Sequence, residues 1–278
     1  MKGSREHLVT YIGFEEHAVA VRSGAVDLHR GVAERFGAML STVPRETCGC
    51  FTVASDAGQE YVLRDSDDLL TRGDLHEVLV ELRHGVIRHL VDARPDLLWF
   101  HAGGVVHDGR AVFMPGRWGS GKSTLTISFC DAGWAYLSDD IVPLDLETGR
   151  VLPFPLTPAA REGPKRELSR SEVAELPKTT RKVRSDEICN DPTSVGEIIF
   201  PRFSSGAAVE VSPCPPARAV LGLLDSCINF HHHESEGIES LCALVEEYSA
   251  LILAHDGQIR DSELVPEVLT HLAKPPDC

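Results

Sequence analysis

Two short aliphatic runs, Leu8 to Ile12 and Ala18 to Arg22, carry the residue types that favour strands. Val32 to Leu40 then shows helical spacing. Thr47 to Ala54 and Glu60 to Arg64 flank Ser55-Asp56-Ala57-Gly58, a turn signal that predicts a hairpin. Asp74 to Asp92 gives the clearest helix in the chain. Leu75, Val78, Leu79, Leu82, Val86 and Leu90 recur at three- and four-residue intervals, and Pro95 closes the segment. From Leu97 the texture changes. Apolar runs through Ala102 and Val106 lead to a tight turn at His107-Asp108-Gly109-Arg110. Ala111 to Pro115 reads as a strand buried on both faces. A glycine-rich loop, a helix over Ser123 to Asp131 and a strand over Trp134 to Leu137 follow, the βαβ pattern of a nucleotide-binding core. Residues 188 to 225 look strand-like and broken by proline, and Ser235 to Leu253 and Ser262 to Leu272 read as closing helices. The change at Leu97 predicts a small α+β region over 1–95 and a nucleotide-binding catalytic domain over 96–278.

Composition narrows the function classes. The chain has 278 residues, 42% hydrophobic and 25% charged, which is ordinary globular usage. With 42 acidic against 27 basic residues the formal charge is −15, which disfavours a protein built to coat nucleic acid or an anionic membrane. No apolar stretch approaches the roughly 20 residues of a membrane span. The first residues lack a signal-like apolar block, so the expected address is the cytoplasm. The eight cysteines are scattered, without a CxxC pair, and are expected to be reduced structural thiols.

Chemistry enters at Gly116-Arg117-Trp118-Gly119-Ser120-Gly121-Lys122-Ser123, which fits GxxxxGK[ST] without a mismatch. Glycines at 116, 119 and 121 permit backbone conformations that turn successive N–H groups around a phosphate. The helix that follows, through Thr124, adds its positive end to the anion site. Lys122 is expected at the β- and γ-phosphates and the Ser123 hydroxyl on Mg²⁺. The implied cofactors are ATP (or GTP) and Mg²⁺.

Leu137-Ser138-Asp139-Asp140 ends the strand after that helix, placing both carboxylates at the strand tips where α/β sheets build sites. One acid can serve the metal and the other can take a proton from a nucleophile, which tilts the reading toward transfer onto an acceptor hydroxyl. His101 opens the hairpin that leads into the loop.

Together these residues make the chain resemble the HPr serine kinase/phosphorylase family, within the phosphoenolpyruvate-carboxykinase-like fold. The shared pattern is His101 to Gly109, then Gly116 to Ser123, then Gly133 to Asp140, over about residues 97 to 156. The layout is more similar to HPr-kinase-like proteins of peptide natural-product pathways, such as lasso-peptide precursor kinases. The resemblance implies an α/β P-loop core with a mixed β-sheet, and an ATP-dependent kinase acting on a serine of a peptide or small protein. It also implies Lys122 and Ser123 on nucleotide and metal, Asp140 as general base, Asp139 as the metal-side carboxylate and His101 beside the transferred group. The two aspartate roles are open to exchange. Relatives often form oligomers, so a homo-oligomer is a further expectation.

A cation should stabilise the transferred phosphoryl. Arg117, Arg161, Lys165, Arg181, Lys182, Arg184 and Arg202 are candidates; the resemblance favours Arg161, which follows Pro153-Phe154-Pro155 near where related proteins place a phosphate-contacting arginine. The basic stretch Lys178 to Arg184 reads either as a solvated loop or as a lid. His231-His232-His233-Glu234 is expected in an exposed loop rather than at a metal. The rival functions are a small-molecule hydroxyl kinase and a non-catalytic nucleotide-binding regulatory module.

Overall fold

The computed structural model describes residues 8–41, 46–56, 60–161, 172, 178–204 and 208–256. The chain divides into two compact units, Met1–Pro95 and Asp96–Cys278.

In the first unit, β1 (Leu8–Phe14) and β2 (His17–Ser23) form an antiparallel pair. Helix α1 (Val26–Phe36) follows, and its buried face is Leu28, Gly31, Val32 and Phe36. The expected helix over Val32 to Leu40 is thus displaced towards the N-terminus. Gly37, at φ +37°, ends the helix, and Leu40 enters β3 (Leu40–Ser41) opposite Ile12. The hairpin forms between β4 (Glu46–Asp56) and β5 (Glu60–Asp65), and β6 (Asp68–Gly73) adds a strand. The sheet order is β3-β1-β2-β4-β5-β6. Helix α2 (Leu75–Ala93) buries Val78, Leu79, Leu82, Val86 and Leu90, as its periodicity requires. Its start is fixed by a capping box: Asp74 accepts from the Glu77 N–H, and the Glu77 carboxylate accepts from the Asp74 N–H.

The second unit is built on a nine-stranded mixed sheet. Its strands are β7 (Leu97–Phe100), β8 (Ala102–His107), β9 (Arg110–Pro115), β10 (Ala135–Ser138), β11 (Val142–Asp145) and β12 (Arg150–Val151), with later strands below. Helix α3 (Lys122–Asp131) joins β9 to β10. A separate small ladder pairs β13 (Ala159–Arg161) with β14 (Lys178–Thr180). Then come β15 (Thr193–Phe203), β16 (Glu210–Pro213), helix α4 (Pro216–Ser226), helix α5 (Glu234–Glu247) and β17 (Ser249–His255).

β8 lies antiparallel between β9 and β10, so those two strands run in the same direction. β15 pairs parallel with both β9 and β17. The carboxyl ends of β9, β10, β15 and β17 therefore point the same way, which is what the site uses. The sheet core includes Phe100, Phe113, Leu137, Val142, Ile198 and Leu223. Trp134 stacks on Phe129 beneath α3 at 4.4 Å between ring centroids.

Two expectations for the C-terminal region are corrected. The strand-like region 188 to 225 ends in a helix, α4, which Pro216 starts with its preset φ, at a position where the N–H it lacks would have no helical partner. The closing helix stops at Glu247, and Ser249 to His255 is a strand instead. Leu251, Ile252 and Leu253 form a short continuous apolar run whose backbone completes the ladders beside β15 and β16, and periodicity alone does not separate such a run from a buried helix. The expected helix over Ser262 to Leu272 lies outside the described residues.

All seven described cysteines are free thiols. No helix among the described residues is long and apolar enough to cross a membrane.

Candidate active site

The strand β9 delivers the chain directly into the glycine-rich loop. Gly119 (φ +83°) and Gly121 (φ +98°) take the left-handed conformations that side chains resist. The Ser120 N–H closes a turn onto the Arg117 carbonyl at 3.2 Å, and the Leu125 N–H reaches the Gly121 carbonyl at 3.0 Å, starting α3. The first amides of α3 thus open onto the loop, as an anion site requires.

Lys122 is buried within this loop. Its Nζ donates to the carbonyls of Gly116 at 2.7 Å and Arg117 at 2.9 Å. Burial pushes its ammonium down to about 8, opposed by the negative charges of Asp140 and Asp139. That opposition places both acids within electrostatic reach of the lysine.

The two acids diverge, as adjacent residues leaving a strand should. Asp139 turns inward and is 4% exposed. Burial, then the neighbouring Asp140 charge, raises its carboxyl to about 6, while Ser123, the Ala159 N–H and Lys122 act the other way. Its Oδ2 accepts from the Ala159 N–H at 3.3 Å, and its Oδ1 is buried with no partner among the described residues. Asp140 turns outward on a left-handed backbone at φ +80° and faces His101, whose Nε2 lies 2.8 Å from Asp140 Oδ1. Both side chains are partly open to solvent.

His101 sits where β7 gives way to β8. Its N–H donates to the Ser226 carbonyl at 2.7 Å, and its own carbonyl accepts from the Gly116 N–H at 3.4 Å. The histidine is thereby fastened to the end of α4 and to the first glycine of the loop.

The structure brings together Gly116, Gly119, Ser120, Gly121, Lys122, Ser123, Asp139, Asp140 and His101. Thr124 follows in the first turn of α3. The residues fit a magnesium ion. An orphaned buried carboxylate oxygen beside a serine hydroxyl is a hard oxygen donor set, and Mg²⁺ takes only one or two protein oxygens beside phosphates and waters. Ser123 and Asp139 would hold it. No cluster of three or more His, Cys, Asp or Glu side chains suited to a metal occurs among the described residues.

The basic candidates fare differently. Arg117 points out of the loop and pairs through its Nε and Nη2 with the two carboxylate oxygens of Asp225 near the end of α4. Trp118 is partly exposed beside it. Arg161 lies on β13 opposite Lys178; its side chain lies outside the described atoms, as does Lys165. Arg181 is tied to Asp131 at 2.9 Å and Glu187 at 3.2 Å, and Arg184 to Asp186. These pairs commit both guanidiniums to carboxylates. Lys182 and Arg202 are exposed.

The histidine run is not simply an exposed loop. Phe230–His232 is a 3₁₀ turn with His231 and His232 outward, whereas His233 is half-buried and its Nε2 lies 3.0 Å from the Leu97 carbonyl.

Three residues of this neighbourhood escaped the sequence reading: Asp225, Ser226 and His255. The last carried a signal, since a histidine ends the apolar run Ser249 to His255 just where a parallel strand would present it to a site.

No family model matches the chain, and no curated protein does. Among solved structures, the HPr(Ser) kinase/phosphatase from Coxiella burnetii is similar over 62% of this chain and 88% of that one, at 16% identity and a TM-score of 0.31. A likeness that distant carries no argument about activity.

Proposed function

We propose that the chain is an ATP-dependent, Mg²⁺-requiring kinase that transfers the γ-phosphoryl group to a hydroxyl, the serine of a peptide or small protein. One observation carries the reading: Lys122 interacts with both acids, Ser123 with Asp139 and His101 with Asp140, where β9 and β10 end and β8 begins.

Lys122 and the loop amides bind the terminal phosphates, and a phosphate anion compensates the burial that depresses the lysine. Asp140 accepts the proton of the acceptor hydroxyl; its partial exposure leaves room for an acceptor, which the buried Asp139 lacks. His101 orients Asp140. The acceptor oxygen bonds to the γ-phosphorus while the bond from that phosphorus to the bridging oxygen breaks. ADP departs with that electron pair, and the acceptor proton passes to Asp140. Ser123 and Asp139 would hold a magnesium ion, which would supply charge neutralisation on the phosphate oxygens. Alignment and electrostatics, not a covalent intermediate, lower the barrier.

The test is incubation with Mg-ATP and candidate acceptors, serine-bearing peptides in one arm and free hydroxyl metabolites in another, read by mass spectrometry. A single phosphate gain on a peptide supports the proposal. Gain only on a metabolite makes it a small-molecule kinase. ATP binding without any transfer makes it a nucleotide-binding regulatory module.

A further inference from the structure

We infer that His255 is a positioning residue for the phosphate loop: its imidazole holds the Ser120 carbonyl and thereby aims the next amide at the nucleotide phosphates. The inference deepens the nucleotide-binding reading above and rests on it.

His255 ends β17, two strands across the sheet from the strand that enters the loop, and it is fully buried. Its Nε2 lies 3.0 Å from the Ser120 carbonyl oxygen. A carbonyl only accepts, so Nε2 carries the proton and donates. Burial keeps the ring below the usual histidine range, which favours this neutral form. Its far side packs edge-on against Phe203, with centroids 5.9 Å apart. The ring is thus fixed by packing as well as by its hydrogen bond.

The peptide that joins Ser120 to Gly121 is planar and trans, so its C=O and N–H point in opposite directions. Fastening the carbonyl down onto His255 turns the Gly121 N–H up, away from the sheet and toward the cradle. The fit is close on both sides. A Cβ at Gly121 would stand 2.3 Å from His255 Cε1, on a backbone at φ +98° that already disfavours one. The glycine therefore answers two demands: it admits the left-handed turn and makes room for the imidazole beneath. A histidine at this strand end has no need to touch substrate to matter. It substitutes a rigid donor for water under the loop, where a mobile carbonyl would let the amide swing.

The experiment compares His255→Gln, which keeps an N–H donor at about the reach of Nε2, with His255→Leu and His255→Asn, which do not. ATP and AMP affinities are measured by titration calorimetry, and melting temperature by scanning calorimetry, all on the full chain. The expected result is a loss of at least about tenfold in ATP affinity for the Leu and Asn variants, with AMP affinity little changed and ATP affinity restored by Gln. A merely structural role would lower the melting temperature in all three variants without changing the ratio of ATP to AMP affinity. That result overturns the inference, as does a folded Leu variant that binds ATP like the wild type. Should the Leu variant fail to fold, Gln against Asn decides alone. If the wild type itself binds no ATP, the nucleotide-binding reading fails, and that outcome is visible before any variant is compared.

Discussion

His101 Nε2 lies 2.8 Å from Asp140 Oδ1, and Asp140 holds this position on a backbone of positive φ. Aspartate and asparagine tolerate that conformation better than most side chains, because their short polar groups bond locally. Asp140→Asn therefore removes the base while leaving the turn intact. Transfer to the acceptor is expected to fall by about 10²-fold or more, with ATP affinity within a few-fold of wild type. Quenched-flow transfer assays and calorimetric titration measure the two separately. Equal losses in both would show that Asp140 serves binding instead.

Asp139 makes the opposite bargain. Its carboxyl rises from 3.8 to about 6 in the folded protein, chiefly by burial. A raised acid binds more protons folded than unfolded, so its contribution to stability is complete below pH 4 and is lost as pH rises through 6. In the metal-free protein, wild type minus Asp139→Asn should thus decline between pH 4 and 7 by on the order of 2–3 kcal/mol. Urea unfolding in EDTA across that range measures it. The same variant should lose the Mg²⁺ dependence of ATP binding, because a neutral amide no longer offers the ion the anionic oxygen of Asp139.

Much of this arrangement was legible beforehand, and the reason is local. Loop glycines, Lys122 and the Asp139-Asp140 pair are contiguous or lie at a fixed spacing, and the strand before and helix after follow from short-range patterning. Helix α2 was legible because its apolar stripe and its cap agree. What escaped depends on pairing across the sheet. Ser249 to His255 carries apolar residues that suit either a helix or a strand, and only the backbone partners on β15 and β16 decide. Asp225 and Ser226 are hidden in the sequence because the proline-broken region up to 225 looks strand-like, so nothing in it places the end of α4 beside His101. The preferred Arg161 is placed only by its backbone, on β13 opposite Lys178, and its side chain lies outside the described atoms.

The start of α2 offers an independent check on the first unit. Asp74 and Glu77 each satisfy the other's backbone N–H, at 2.9 and 3.0 Å. Asp74→Ala leaves the Glu77 N–H to water and should destabilise the protein by about 1 kcal/mol. Asp74→Ser, which retains a capping oxygen, should recover most of that loss in the same denaturant titration.

Asn229 ties the site strand to the chain that follows α4. It is 2% exposed, accepts from the Trp99 N–H at 2.9 Å and donates to the Leu97 carbonyl at 2.8 Å. Two residues on, the His101 N–H depends on Ser226, the last residue of α4. Asn229→Ala strips the buried Trp99 N–H of its side-chain amide acceptor, whereas Leu97 keeps His233. The loss should be about 2–3 kcal/mol, seen as a lower urea midpoint at an unchanged slope. Asn229→Asp preserves the acceptor for Trp99 but not the donor for Leu97, and buries a charge, so it should be at least as damaging. Because β7 carries His101 to Asp140, the alanine variant should also slow transfer more than it weakens ATP binding. A variant destabilised to this degree with unaltered transfer would show that the strand holds His101 without help from Asn229.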